Sequence, residues 1–117
     1  MRFDCFSIGL LVLRPDAPVL DEDAAAELQD AHLAHLAALH EAGHLYAAGP
    51  LEDPDERLHG LCILGVDAEQ ARTLLEQDPS VRAGRFSIEV LPWMVPGGAA
   101  AFSPTRFPHS VAEVLAD

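Results

Sequence analysis

The stretch AHLAHLAALHEAGHLYAAGPL, residues 31–51, runs from a helix into a strand and decides the fold. Its first half repeats leucine at helical spacing, and Gly43 is the residue type that ends helices in the left-handed conformation. The segment after Gly43 is short and apolar and stops at Gly49 and Pro50, which predicts a strand. Upstream, Asp21 is suited to the N-cap, so the predicted helix covers residues 21–42.

The predicted elements on either side complete the order βαββαβ. Strands are predicted at residues 3–13, 45–48, 58–66 and 86–90, and a second helix at residues 67–77. This order is typical of the ferredoxin-like α+β fold. A Pro-Gly-Gly segment at residues 96–98 indicates a boundary between a domain of residues 1–95 and a C-terminal extension of residues 96–117. Residues 109–116 favour a short helix in that extension.

The central strands of this topology have apolar residues on both faces. Residues 10–13 and 61–64 are apolar at every position, as in strands that are covered from both sides. Two helices cover only one face, and an open apolar face of that size needs a second layer. The interpretation we favour is a homodimer packed sheet against sheet. The alternative is that the C-terminal extension provides the cover.

Charge and composition exclude several classes of partner. The chain has 117 residues, which suits one domain, and carries 19 acidic residues against seven arginines, a net charge of −12. Such a chain repels phosphate backbones and anionic lipid, so we expect no nucleic-acid and no membrane partner. It has no basic, apolar leader segment, and its two cysteines, Cys5 and Cys62, are interpreted as buried free thiols. We therefore expect a cytoplasmic protein.

Two histidines occupy the apolar arc of the first predicted helix. At about 100° per residue, His32 and His35 share that arc with leucines, although a buried imidazole needs a hydrogen-bond partner. Three interpretations are open: satisfied core histidines, a metal site, or a proton-transfer site in which a carboxylate from another segment pairs with a ring. No HExxH motif or cysteine pair accompanies them, so we expect no metal.

Several short motifs, in this order and spacing, resemble the YCII-related (YciI-like) family over about residues 3 to 95. Ser80 departs from the family pattern, which commonly has an aromatic residue after the Asp-Pro pair. The motifs that carry the resemblance are His32-Leu33, Gly43-His44-Leu45, Ala48-Gly49-Pro50, Glu69 to Ala71, Asp78-Pro79 and Leu91-Pro92-Trp93.

The resemblance implies a dimeric α+β barrel of ferredoxin-like subunits with a cleft that holds a His and an Asp as a general acid/base pair. The His matches His32 by its distance to Gly43, and the Asp matches Asp78 by the proline that follows. Asp78 is also suited to cap a short helix, a purely structural role. The candidate substrate-binding residues are His35, Gly49, Pro50 and Trp93.

These observations favour an enzyme that transfers a proton on a small organic molecule, in a lyase, isomerase or dehydrohalogenase type of reaction. His32 would act as base or acid, and Asp78 would orient its ring. The chain has no Gly-rich phosphate loop and no nucleophile elbow, so no cofactor is expected. The alternative is a non-catalytic module for small-ligand binding or assembly, because ferredoxin-like folds serve both classes.

Overall fold

The structure is a computed structural model that describes residues 1–116, so Asp117, the last residue of the predicted extension, lies outside it. Four strands and four helices follow one another along the chain. They are β1 (Phe3–Leu13), α1 (Glu22–Glu41), β2 (Leu45–Pro50), β3 (Leu58–Leu64), α2 (Ala68–Leu75), α3 (Pro79–Arg82), β4 (Phe86–Pro96) and α4 (Val111–Leu115).

The four strands form one antiparallel sheet in the order β2-β3-β1-β4. The first and third strands are central, which confirms the predicted ferredoxin-like α+β topology. None of the described helices has the length and apolar character needed to cross a membrane. The short helix α3 follows Asp78, the residue that the sequence suggests as a cap, although its four residues are too few to show a helical period.

The ends of α1 follow from its local sequence. The Asp21 carboxylate accepts a hydrogen bond from the Ala24 amide at 2.8 Å, and Glu22 and Asp23 lie at the positive end of the helix dipole. At the other end, Gly43 has a φ of 85°, a conformation that costs little without a Cβ atom. These two signals fix where α1 begins and ends, and its inward face lies along the sheet.

The core lies between the helices and one face of the sheet. Gly9 permits close packing of α2, since a Cβ atom there would lie 2.3 Å from a Leu75 methyl carbon. The thiol of Cys62 is buried as predicted, whereas Cys5 is exposed because it lies near the end of β1, opposite the exposed Met94. The core residues are Leu11, Leu36, Leu39, Leu45, Cys62, Leu64, Ala71, Leu75, Phe86 and Ile88.

Strand β4 extends six residues beyond its predicted end. It pairs with β1 along its whole length, up to the Phe3–Pro96 pair. Pro92 reads as a strand breaker in sequence, but β4 is an edge strand, where a missing backbone N–H is tolerated. The strand therefore ends at Pro96, where the predicted C-terminal extension begins.

The extension crosses a corner of the sheet and then lies against α1. The ring of Phe102 packs on Phe6 at a centroid distance of 5.5 Å, on the face opposite the helices. Further along, the ring of Phe107 stacks on His40 at 4.0 Å, and the Val111 amide donates to the Asp30 carboxylate at 2.8 Å. The extension thus covers part of the open face and also adds a wall beside α1.

Candidate active site

The structure brings His32 and Asp78 together. His32 lies on the inward face of α1, and Asp78 is the N-cap residue of α3, 46 positions later. Their side chains meet at 2.6 Å between Nδ1 of His32 and Oδ2 of Asp78, and Asp78 is completely buried. A buried imidazole and a buried carboxylate thus satisfy each other, as both a structural and a catalytic pair require.

Ser80 fixes the carboxylate of Asp78. Its backbone N–H and its hydroxyl both donate to Oδ1 of Asp78, at 2.9 and 2.8 Å. One carboxylate oxygen therefore caps α3 while the other accepts from His32, so the capping and pairing roles of Asp78 are compatible. In the sequence, Ser80 stands out only as a departure from the family pattern, although Asp-Pro-Ser is itself a capping signal.

The network also sets the tautomer of His32. A carboxylate is an acceptor only, so the nitrogen facing Asp78, Nδ1, carries a hydrogen. In the neutral ring, Nε2 is then the unprotonated nitrogen. Nε2 has no hydrogen-bond partner among residues 1–116. In that part of the chain every fully buried side-chain nitrogen or oxygen has a hydrogen-bond partner, so Nε2 is not fully buried. The lone pair of Nε2 is therefore accessible, and His32 lines a cavity.

The cavity has a volume of about 520 Å³, enough for a small organic molecule. Helix α1, the end of β2, the first half of β3, the start of β4, one residue of β1 and the extension form its walls, which are mostly apolar. Its polar lining side chains, besides His32, are Gln29, His59 and Arg85. The apolar residues of the wall are Leu11, Leu33, Leu36, Ala48, Pro50, Leu61, Phe86, Phe107, Pro108, Val111 and Val114, joined by Gly49, Gly60 and Cys62.

The predicted substrate-binding residues fall into two groups. Gly49 and Pro50 line the cavity with His32. The ring of His35 instead donates from Nε2 to the carbonyl oxygen of Leu74 at 3.0 Å and so ties α1 to α2. Trp93 lies on the face of the sheet opposite the helices, where its ring packs 5.9 Å from that of Phe6. The structure thus places His35 and Trp93 away from the cavity of His32.

Cys62 lines the cavity but is not a ready nucleophile. Burial, with a smaller contribution from the negative charge of Asp78, raises the pKa of its thiol to about 12. Since the thiolate is the reactive form, Cys62 stays protonated and inert at neutral pH. Among the described residues, no group of three or more His, Cys, Asp or Glu side chains is arranged to hold a metal ion.

A family model described as the YCII-related domain matches residues 10–94. No curated protein matches the chain. One similar solved structure is the 5-chloro-2-hydroxyhydroquinone dehydrochlorinase TftG of Burkholderia phenoliruptrix AC1100, in complex with 2,5-dihydroxybenzoquinone. It is 22% identical, with a TM-score of 0.55 over 75% of this chain and 92% of that chain.

A second similar structure is a dimeric protein of unknown function with a ferredoxin-like fold, from Bacteroides fragilis NCTC 9343. It is 16% identical, with a TM-score of 0.46 over 78% of this chain and 95% of that chain.

Proposed function

This chain belongs to the YCII-related family, and on that premise we propose that it is an enzyme in which His32 transfers a proton on a small organic molecule. The observation that carries the proposal is the 2.6 Å hydrogen bond between Nδ1 of His32, which lines the cavity, and the buried Asp78, which does not. It leaves Nε2 as an accessible base.

The chemistry follows from the two ends of the imidazole. Nε2 accepts a proton from an acidic C–H or O–H bond of the substrate, and the ring becomes an imidazolium whose Nδ1–H still donates to Asp78. The electron pair left on the substrate forms a π bond, and a leaving group such as halide departs with its own bonding pair. Return of the proton to another substrate atom gives an isomerase reaction instead.

The reaction class can be tested with a defined first compound. The dehydrochlorinase of similar fold acts on 5-chloro-2-hydroxyhydroquinone, a single ring that the cavity of about 520 Å³ accommodates. We would incubate this compound and related halogenated hydroxy-rings with the protein and measure chloride release. The His32→Asn variant should lose turnover, by a factor of about 10²–10⁴ for a missing acid/base group.

The matched control is His35→Asn, on the same face of α1 but bonded to Leu74 and outside the cavity. It should retain turnover and lose only stability, by about 1 kcal/mol for one hydrogen bond. Equal turnover by the His32→Asn variant and the natural protein would refute the assignment of His32 as the base.

The alternative function is a non-catalytic module for small-ligand binding. It is supported by the largely apolar wall of the cavity, to which the extension contributes Phe107, Pro108, Val111 and Val114. Ring compounds that bind in NMR titrations but are converted neither by the natural protein nor by the His35→Asn variant would favour this module over the enzyme.

We also propose that the protein is a homodimer through the sheet face opposite the helices. Ile8 and Leu10, both half-buried, alternate onto that face, and Leu91, opposite Ile8 on β4, is 54% exposed. Phe102 covers only a corner of this face. The same apolar face of a second chain would match it chemically and bury it in a twofold interface.

Light scattering should give twice the 12.6 kDa chain mass for the natural protein. The Leu91→Glu variant should be monomeric, whereas Met94→Glu, on the same strand but the other face, should stay dimeric. A natural protein that is monomeric at micromolar concentration would refute the dimer.

A further inference from the structure

The cavity beside His32 differs in charge from the rest of the chain. The sequence has 19 acidic residues, yet no aspartate or glutamate is among the described residues that line the cavity. The lining contains one permanent cation, Arg85, and two histidines, His32 and His59. A chain with a net charge of −12 therefore has a cavity whose described lining holds an arginine and two histidines but no carboxylate.

Arg85 is set apart from most arginines of this chain. Five of the seven pair with a carboxylate, whereas Arg85 has no carboxylate partner within residues 1–116. Its guanidinium makes no hydrogen bond to that part of the chain either, so all five of its N–H donors remain available. Arg85 is half-buried and lines the cavity, and a guanidinium with free donors is suited to bind an anion.

The position of Arg85 is held by its surroundings. Its backbone N–H donates to the carbonyl oxygen of Ser80 at 3.1 Å, and its own carbonyl accepts from the Arg14 amide at 2.9 Å. Its guanidinium carbon lies 5.0 Å from the centre of the buried Phe86 ring, in cation–π contact. Since Ser80 also holds Asp78, the anion site and the His32–Asp78 pair depend on the same short segment.

We propose that Arg85 binds the oxyanion of the substrate, and that the substrate class is a small, mostly apolar molecule bearing a planar carboxylate or ring enolate. This rests on the proposed function for the identity of the cavity as the active site. A guanidinium presents paired N–H donors that match such an oxyanion, and the apolar wall accepts the rest of the molecule. When Nε2 of His32 removes a proton, the guanidinium also stabilises negative charge that develops on the substrate oxygen.

The test compares benzoate with its neutral analogue benzamide, titrated into isotope-labelled protein and followed by NMR. Benzoate should bind about tenfold to a hundredfold more tightly than benzamide, the range for hydrogen bonds to a charged group. The Arg85→Gln variant should lose this preference. The control Arg82→Gln removes the same charge from an exposed residue outside the cavity and should keep it.

Equal binding of the two probes, no binding of either, or a preference that survives in folded Arg85→Gln protein would each overturn the anion site. Retained melting temperature identifies the variant as folded. The His32→Asn variant should keep the preference for benzoate, because binding of the oxyanion needs no base. Unchanged turnover in the His32→Asn variant, with the benzoate preference kept, therefore counts against the proposed function alone. Lost turnover in that variant, with equal binding of the two probes to the natural protein, counts against Arg85 alone.

Discussion

Replacing Asp78 by Asn should reverse the tautomer of His32 without removing any side-chain volume. The backbone N–H of Ser80 can only donate, so the carbonyl oxygen of Asn must take the place of Oδ1, 2.9 Å from it. The amide NH₂ group then faces Nδ1 of His32, which has to become an acceptor. The ring proton moves to Nε2, and the lone pair that faces the cavity is lost.

The size of the effect follows from the hydrogen bonds. Two of the three that Asp78 accepts, both from Ser80, survive as neutral bonds, and the one to His32 reverses direction. The difference between charged and neutral hydrogen bonds is about 1 kcal/mol, so the melting temperature should fall by about 3–6 °C. Turnover should fall about 10⁴-fold, the loss seen when a His base is held in the wrong tautomer.

Long-range ¹H–¹⁵N NMR of the imidazole ring reports the tautomer directly and needs no substrate. In the neutral ring, identified by ¹⁵N shifts that no longer change as the pH is raised, Nε2 should resonate as the unprotonated nitrogen in the natural protein and as the protonated nitrogen in the Asp78→Asn variant. The Ser80→Ala variant is the control, since it removes one bond to Oδ1 and leaves the carboxylate in place. An unchanged tautomer in the folded Asp78→Asn variant would refute this account of how Asp78 acts on His32.

Three further predictions concern the thiols and the extension. Because burial raises the pKa of Cys62 to about 12, a thiol reagent at pH 8 should titrate one group per native chain, the exposed Cys5, and two after unfolding. Truncating the ring in Phe107→Ala should cost about 2 kcal/mol of unfolding free energy and weaken ring-compound binding, as measured by denaturation and NMR titration. Hydrogen bonds, first from the His109 backbone, lower the pKa of Glu113 below its ordinary 4.5. The resulting stabilisation of the extension should be complete above that value and lost as the pH falls through the lowered pKa, which amide exchange of α4 would follow.

The fold was predictable because its signals are local. Helical leucine spacing, the Asp21 cap and Gly43 define α1, and the order of elements then gives the topology. The length of β4 was not predictable, since Pro92 is tolerated only because β4 lies at the sheet edge. Residues 109–116 did favour a helix, observed as Val111–Leu115, but nothing in the sequence places it beside α1.

The candidate site was predictable only in part, for the same reason. Helix spacing turns both His32 and His35 inward, and the family resemblance selects His32 and Asp78. Gln29 was not predicted, although it lies three residues before His32 and so on the same side of α1. Arg85 carries no comparable signal. It is one of seven arginines, and only the folded chain shows that it lines the cavity. The described residues that line this cavity include no carboxylate.

The functional groups of the cavity come from separate segments of the chain. Helix α1 supplies the candidate base, and the residue that caps α3 supplies the carboxylate bonded to it. The residue before β4 supplies the arginine, and the extension supplies part of the apolar wall. The base and carboxylate are buried and bonded to each other, so changes in the extension leave their geometry intact while they alter the space facing Nε2. On the proposed function, substrate choice and proton transfer are therefore separable properties. Substitutions at the residues of the extension that line the cavity should change which molecule binds and leave the proton transfer by His32 intact.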